Sequence, residues 1–185
     1  TRVRSSAASD VYKRQAIPTW FVNVEKISDR MVELNAETHW VPGFIGEKRF
    51  SNWLADARDW AISRNRYWGS CIPIWINDDD PDDIICVGSI EQLKELSGVE
   101  VDDLHKHFLD EIKIEIDGKT YTRTPEVLDC WFESGSMPYG QQHYPFENSE
   151  NFMDGFPADF IAEGLDQTRG WFYTLTVLAV SLFDS

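Results

Sequence analysis

Residues 159–183 read DFIAEGLDQTRGWFYTLTVLAVSLF. The apolar start at 159–162 is typical of a short strand, and Glu163-Gly164 then turns the chain into a helix expected from about Asp166 to Phe183. A strand, a glycine turn and a helix form the unit of a doubly wound α/β sheet, in which ligands bind at the carboxyl ends of the strands. The pattern therefore predicts an α/β fold with a binding site at the 163–167 turn. The expected buried face of the helix carries Trp171, Leu175, Leu178 and Leu182.

The segments upstream continue this alternation of strands and helices. Short β-branched and aromatic runs predict strands, and apolar residues at positions i, i+3, i+4 and i+7 predict an amphipathic helix. The expected elements are strands at 17–24 and 127–132 and helices at 24–35 and 50–63, with an apolar run at 72–76.

The middle of the chain, 77–123, differs from its apolar flanks and is interpreted as a small α+β module inserted into the larger unit. Ser89 and Gln92 have the spacing of a helix N-terminal capping box, and Gly98 is placed to end that helix. Asp117-Gly118 separates two short runs of alternating polarity, which predicts a β-hairpin with a two-residue turn.

The first 15 residues, TRVRSSAASDVYKRQ, are polar and show no apolar period. We interpret 1–15 as a disordered or adaptor-like tail and 16–185 as the folded part.

The charge balance excludes one class of function for this segment alone. The net charge is −15, and residues 77–118 hold 14 Asp and Glu against three Lys. Because an acidic surface repels a phosphate backbone, we expect little binding of nucleic acid by these residues themselves.

Cysteines and histidines give no metal-binding pattern. Cys71, Cys86 and Cys130 are far apart, as expected for free thiols in a reducing compartment, and His105 and His107 alone cannot complete a zinc site. No run approaches the ~20 apolar residues of a membrane span, and because the first residues contain no apolar signal core we expect no secretion of this chain.

Three strings carry a family resemblance. Together with HYPFEN at 143–148, they resemble the cytosolic eukaryote-like isoleucyl-tRNA synthetases of class I over about 17–183. Ser70, Cys71 and Gly140 depart from the usual residues of that family. The strings are NWLADARDWAISRNRYWGSCIPIW (52–75), EVLDCWFESGSMPY (126–139) and FPADFIAEGLDQTRGWFYT (156–174).

The resemblance implies part of a Rossmann-like catalytic domain in a cytoplasmic enzyme of translation. Such an enzyme activates isoleucine with ATP, accompanied by Mg²⁺, and transfers it from isoleucyl-adenylate to tRNA(Ile). The His-Ile-Gly-His and Lys-Met-Ser-Lys-Ser signatures of the family are absent from this sequence. The chain is therefore expected to be inactive alone, to hold no metal and to leave tRNA binding mainly to other regions.

The same resemblance implies specific site residues. Glu163, Gly164, Asp166 and Gln167 are expected to contact the adenylate, while Trp68 and Trp171 are expected to wall the isoleucine side chain. No residue is expected to form a covalent intermediate, because this chemistry rests on orientation and electrostatic complementarity.

Each assignment has a structural alternative. Glu163 would otherwise be a solvated loop carboxylate and Asp166 a helix N-cap, while the two tryptophans would be core. Arg64 and Arg66 could meet phosphate, although a solvated or salt-bridged role fits the sequence better.

Two other functions remain open at this level. One is a fragment of a valyl- or leucyl-tRNA synthetase, and the other is a non-catalytic, Trp-rich binding module. The tryptophans at helical core spacing speak against the binding module.

Overall fold

Two hydrophobic cores organise residues 19–185, the part of the chain that the computed structural model describes. The strands are β1 (Phe21–Val22), β2 (Trp60–Ala61), β3 (Ser63–Arg64), β4 (Ile74–Asn77), β5 (Ile84–Cys86), β6 (Lys113–Ile116), β7 (Lys119–Arg123) and β8 (Val127–Leu128). The helices are α1 (Ser28–Glu37), α2 (Ser51–Ala55), α3 (Ile90–Ser97), α4 (Lys106–Leu109), α5 (Cys130–Gly140), α6 (Ser149–Gly155) and α7 (Trp171–Phe183). The interpretation of residues 1–15 lies outside the described residues.

The first core lies between helices α1, α2 and α7. Met31, Leu54 and Val177, one from each helix, are fully buried in it. The predicted helix at 24–35 is present, although a 3-10 turn at Val24–Lys26 precedes α1. None of the helices described here is long and apolar enough to cross a membrane.

The second core belongs to a unit that we call the acidic module, residues 74–123. Its four strands form an antiparallel sheet in the order β5-β4-β7-β6, and α3 packs on it around Leu93. Trp75 is buried at its centre and donates its indole N–H to the Ile112 carbonyl at 3.0 Å. Trp75 on β4 lies opposite Arg123 on β7, so the two ends of the acidic module are neighbours.

The local patterns predicted inside the acidic module are confirmed. The Ser89 hydroxyl accepts a hydrogen bond from the Gln92 backbone N–H at 3.1 Å, and Gly98 ends α3 with φ 72°. Asp117 and Gly118 both have positive φ in the turn between β6 and β7, as a two-residue hairpin requires.

The predicted helix at 50–63 is wrong in its extent. A π-helical turn at Ile45–Phe50 leads into α2, which ends at Ala55, and the chain then runs extended through β2 and β3. Ile62 lies between these strands. Its backbone N–H donates a hydrogen bond to the Trp20 carbonyl, and its carbonyl accepts one from the Asp129 backbone N–H. Pairing with two other segments therefore overrides the helical period of the sequence.

The predicted strand at 127–132 is also too long. It ends at Leu128, and Asp129 begins α5 by accepting a hydrogen bond from the Trp131 N–H at 3.3 Å. Trp131 on the first turn of α5 is 42% exposed, whereas Phe132 packs on Trp60.

Helix α5 lies directly against α7, and Gly135 makes this approach possible. A Cβ added at Gly135 would lie 3.0 Å from Leu178 Cδ1 and 3.1 Å from Thr174 Cβ. The buried face of α7 is formed by Thr174, Val177, Leu178 and Val180. The predicted face was wrong at Leu182, which is 60% exposed.

The expected strand at 159–162 does not form. These residues are exposed and unpaired, a 3-10 helix follows at Leu165–Arg169, and α7 begins only at Trp171. Every strand pairing among residues 19–185 is antiparallel. The mixed α/β class is confirmed, while the doubly wound parallel arrangement is not observed in this part of the chain.

Candidate functional site

The 163–167 turn presents an accessible carboxylate. Glu163 is exposed and makes no hydrogen bond or ion pair with any residue of the described part of the chain. A carboxylate in this state can accept hydrogen bonds from ribose hydroxyls or offset an ammonium charge, because no protein group competes for it. The geometry leaves open both the solvated-loop and the ligand-binding interpretation of Glu163.

Asp166 lies over Gly164 instead of capping a helix. A Cβ added at Gly164 would lie only 2.6 Å from Asp166 Oδ1, so a side chain at position 164 would displace this carboxylate. The residue that precedes the 3-10 helix is Gly164, and the one that precedes α7 is Gly170. The N-cap alternative for Asp166 is therefore wrong.

Gln167 links the turn to α7 through both ends of its amide. Its side-chain oxygen accepts a hydrogen bond from the Trp171 backbone N–H at 2.9 Å, and its NH₂ group donates to Asp166 Oδ2 at 2.9 Å. The oxygen thereby satisfies one of the free N–H groups at the start of α7. The NH₂ group holds the Asp166 carboxylate in one orientation.

Trp171 is half-buried at the first position of α7. Its indole N–H donates to the Ser134 carbonyl on α5 at 3.0 Å, which fixes the plane of the ring. A tryptophan held in this way can contribute to packing on one side and line a pocket on the other. Both the core and the pocket-wall interpretations retain support.

Trp68 lies on the surface, in the segment 65–73 between β3 and β4, which we call the Trp68 turn. It is 62% exposed, and its ring stacks on that of His105 with centroids 3.9 Å apart and an interplanar angle of 24°. Gly69 follows with φ 149°, and a Cβ there would lie 3.0 Å from Val127 Cγ2. The core alternative is therefore wrong for Trp68, and its turn requires glycine at position 69.

The two candidate phosphate contacts behave differently. Arg64 donates to the buried Asp129 carboxylate at 2.7 Å and to two backbone carbonyls, so it holds β3 against the start of α5. Arg66 is exposed. The salt-bridged interpretation of Arg64 is thus confirmed.

Sequence reasoning missed several partners of the predicted site residues. Ser134 offers only a backbone carbonyl to Trp171, and no residue pattern signals such a contact. Glu133 accepts a hydrogen bond from the Ser70 N–H at 2.9 Å, anchoring the Trp68 turn to α5. The pair His105 and His107 was noticed only as a weak metal candidate, whereas both rings stack on aromatic residues of that turn.

A cleft of about 950 Å³ lies between the acidic module and the 143–147 segment. Cys71 and His105 line it, and the six predicted site residues do not. Burial raises the pKa of the Cys71 thiol, which favours its uncharged form. All three cysteines are free, and the described residues contain no group of three potential metal ligands.

Comparison with known proteins defines the class. The sequence profile of the class I tRNA synthetases (I, L, M and V) matches residues 5–185. The chain belongs to this family.

Comparison with individual proteins narrows the assignment from the class to one of its members. The chain is 60% identical over 174 residues to the isoleucine–tRNA ligase of Chlamydia abortus and 63% identical over 174 residues to that of Protochlamydia amoebophila. It is 62% identical over 172 residues to the isoleucine–tRNA ligase of Treponema denticola. These matches cover 94%, 94% and 92% of the chain but 16% of each relative, so the chain is similar to a segment of isoleucine–tRNA ligase.

These comparisons confirm the isoleucyl assignment and give no support to the valyl, leucyl or non-catalytic alternatives. The organisms named are bacteria, so they also give no support to the expected eukaryote-like type.

Proposed function

We propose that the enzyme containing this segment activates isoleucine with ATP and transfers it to tRNA(Ile). The observation that carries this proposal is the identity of about 60% to isoleucine–tRNA ligases over nearly the whole chain. In the first step the isoleucine carboxylate attacks the α-phosphorus of ATP, giving isoleucyl-adenylate and pyrophosphate. In the second step the acyl group moves to the terminal ribose of the tRNA and AMP leaves.

Within this proposal the 163–167 turn binds the adenylate. Glu163 supplies a free carboxylate for a ribose hydroxyl or for the ammonium group, and Gly164, which has no side chain, leaves room for the Asp166 carboxylate beside it. Asp166 is oriented by Gln167 at 2.9 Å. Catalysis then consists of holding the reacting groups in line and matching the charge that develops.

Trp68 and Trp171 form the walls of the isoleucine side-chain pocket in the same proposal. A branched hydrocarbon offers no hydrogen-bonding group, so shape and burial alone select it, and flat indole surfaces suit that task. The exposure of Trp68 supports this role, because its ring is open to a ligand on the side away from His105.

The remaining assignments follow the class. We propose that residues 16–185 complete a Rossmann-like catalytic domain together with the rest of the enzyme, and that 77–123 is an insertion in it. ATP enters with Mg²⁺, tRNA(Ile) is held mainly by other regions of the enzyme, and the reaction takes place in the cytoplasm. The chain has no metal site of its own in this proposal.

A hybrid enzyme tests the function. This chain replaces the matching 174-residue segment of the Chlamydia abortus isoleucine–tRNA ligase, and pyrophosphate exchange into ATP is measured with isoleucine, valine and leucine. We expect exchange that prefers isoleucine, as in the unmodified ligase. A soluble, folded hybrid that prefers valine or leucine, or that shows no exchange with any of the three, would overturn the proposal.

A further inference from the structure

The acidic module contacts the Trp68 turn through two stacked ring pairs. His105 lies on Trp68 at 3.9 Å, and His107 lies near Tyr67 at 6.1 Å with an interplanar angle of 14°. Tyr67 and Trp68 are both largely exposed. Within the described part of the chain, Tyr67 and Trp68 therefore have their ring contacts with these two histidines.

His105 is itself held firmly. Its ring Nδ1 lies 2.5 Å from Asp103 Oδ1, and the same carboxylate oxygen accepts a hydrogen bond from the His105 backbone N–H at 2.8 Å. These contacts lower the pKa of Asp103, and the hydrogen bond from the His105 backbone N–H has the largest effect. The carboxylate therefore stays charged. The His105 ring thus cannot rotate without losing a charge-assisted hydrogen bond.

The backbone of the Trp68 turn is fixed at the same place. Ser70 forms an isolated antiparallel bridge with His105, and its N–H donates to Glu133. The Ser70 carbonyl accepts a hydrogen bond from the Leu128 N–H at 2.7 Å. The turn is therefore anchored at Ser70, whereas the Trp68 indole is held on one face by the His105 ring.

We propose that His105 is a positioning residue for Trp68, through which the acidic module sets how selectively the enzyme accepts isoleucine. This inference rests on the proposed function, because Trp68 must be a wall of the isoleucine pocket for its orientation to matter. If the Trp68 ring moves by a fraction of an ångström, its packing contact with the extra methylene of isoleucine becomes weaker. Selectivity against valine then falls before catalysis itself is lost.

Three substitutions separate ring stacking from the hydrogen bond to Asp103. His105→Ala removes both, His105→Gln keeps a polar side chain without a ring, and His105→Phe keeps a flat ring on Trp68. His39→Ala is the matched control, because His39 is an exposed histidine on the loop after α1, outside the acidic module.

The geometry is tested first in the chain itself, labelled with 5-fluorotryptophan. The ¹⁹F resonance of Trp68, assigned with Trp68→Phe, should shift and sharpen in His105→Ala and His105→Gln, because the indole gains freedom. It should stay broad in His105→Phe and unchanged in His39→Ala. A Trp68 resonance unaffected by His105→Ala would overturn the inference whatever the enzyme does.

Selectivity is then measured in the hybrid enzyme as the ratio of kcat/KM for isoleucine to that for valine. We expect this ratio to fall about fivefold or more in His105→Ala and His105→Gln, mainly through KM for isoleucine, and to recover in His105→Phe. If the parent hybrid activates isoleucine but His105→Ala keeps its selectivity, the positioning role is wrong and the function stands. If the parent hybrid does not activate isoleucine, the proposed function fails, while the ¹⁹F result still decides the stacking.

Discussion

Gln167 shows at the scale of one residue how a side chain proposed to bind ligand also takes part in folding. Its oxygen satisfies the N–H of Trp171 at the start of α7, and its NH₂ group orients Asp166. The 163–167 turn and the helix that carries Trp171 are therefore linked by one amide. Sequence reasoning assigned Gln167 to the ligand alone, because nothing in the residue pattern shows that its oxygen faces the following helix.

Trp171→Ala should weaken isoleucine activation far more than ATP binding in the hybrid enzyme. The substitution removes one proposed wall of the side-chain pocket, so the isoleucine-over-valine preference in pyrophosphate exchange should shrink. Because Trp171 is only half-buried, the loss of stability should fall near the lower end of the about 3–5 kcal/mol seen for Trp→Ala in cores.

Trp171→Phe is the companion variant, since it keeps a ring but loses the hydrogen bond to Ser134. Folding of both variants is checked by circular dichroism before their kinetics are compared. Normal isoleucine kinetics and selectivity in folded Trp171→Ala would assign Trp171 to packing alone.

Asp83 should give the acidic module a stability that depends on pH. Its carboxylate accepts hydrogen bonds from Lys119, Asn77 and Tyr121, which lower its pKa to about 2. A carboxyl whose pKa is lower in the folded state stabilises that state above its unfolded pKa of about 4, and the effect is lost as pH falls toward 2. Asp83→Asn should therefore lower the urea midpoint at pH 7 and have little effect near pH 2.

Asp79→Asn is the matched control, because it removes the same charge from the same exposed loop. Urea unfolding followed by circular dichroism at pH 7, 4 and 2.5 gives the comparison. Equal effects of the two substitutions, or an effect of Asp83→Asn that does not depend on pH, would show that the hydrogen-bonded cluster contributes nothing specific.

At the scale of elements, local signals were reliable where neighbouring residues satisfy one another. The Ser89 cap, the Gly98 helix end and the Asp117-Gly118 hairpin each depend on a few adjacent positions. The strand at 127–132 and the helix at 50–63 were wrong because distant partners decide them, through Ile62 and Asp129. The spacing of apolar residues along the chain contains no information about such pairings.

Gly135→Ala should destabilise the contact between α5 and α7. The added methyl group would lie 3.0 Å from Leu178 Cδ1, so the helices must separate or the leucine must change rotamer. Overpacking of this kind costs about 1–3 kcal/mol, against a gain of up to about 1 kcal/mol in helix propensity. We expect a net loss of about 1–2 kcal/mol in the free energy of unfolding.

Gly140→Ala is its control on the same helix, because the nearest atom to an added Cβ there is the Ser136 hydroxyl oxygen at 3.9 Å. Urea denaturation should show this variant unchanged or slightly stabilised. A Gly135→Ala chain as stable as Gly140→Ala would mean that α5 and α7 do not pack as closely as described.

At the scale of the whole molecule, composition and motifs predicted the class and the isoleucyl assignment, whereas the arrangement of the sheet could not be read. The strand expected at 159–162 has apolar residues suited to a sheet, yet Phe160 is 83% exposed. An apolar pattern predicts that a segment will be buried but does not show which other segment will pack on it. The adenylate and isoleucine roles of the predicted site residues stay predictions, while the His105 stack on Trp68 could not be predicted because it depends on folding of the acidic module.

The chain by itself should show no isoleucine-dependent exchange of pyrophosphate into ATP. Neither phosphate-handling signature of the class occurs in its sequence, and positioning of the triphosphate supplies most of the catalysis in such reactions. The assay uses purified residues 16–185, with the Chlamydia abortus ligase as positive control. Exchange above the no-enzyme background that copurifies with the chain would contradict the expectation.

The antiparallel pairing of Trp75 with Arg123 has a consequence for how the gene can change. Residues opposite each other on neighbouring strands are about 5 Å apart, so the acidic module leaves the rest of the chain at nearly the point where it enters. An insertion or deletion of coding sequence between these two positions can therefore lengthen or shorten the acidic module without moving the backbone on either side of it. We therefore expect related chains to differ here in length and charge, except at residues such as His105 that contact the Trp68 turn, while the residues on either side keep their register.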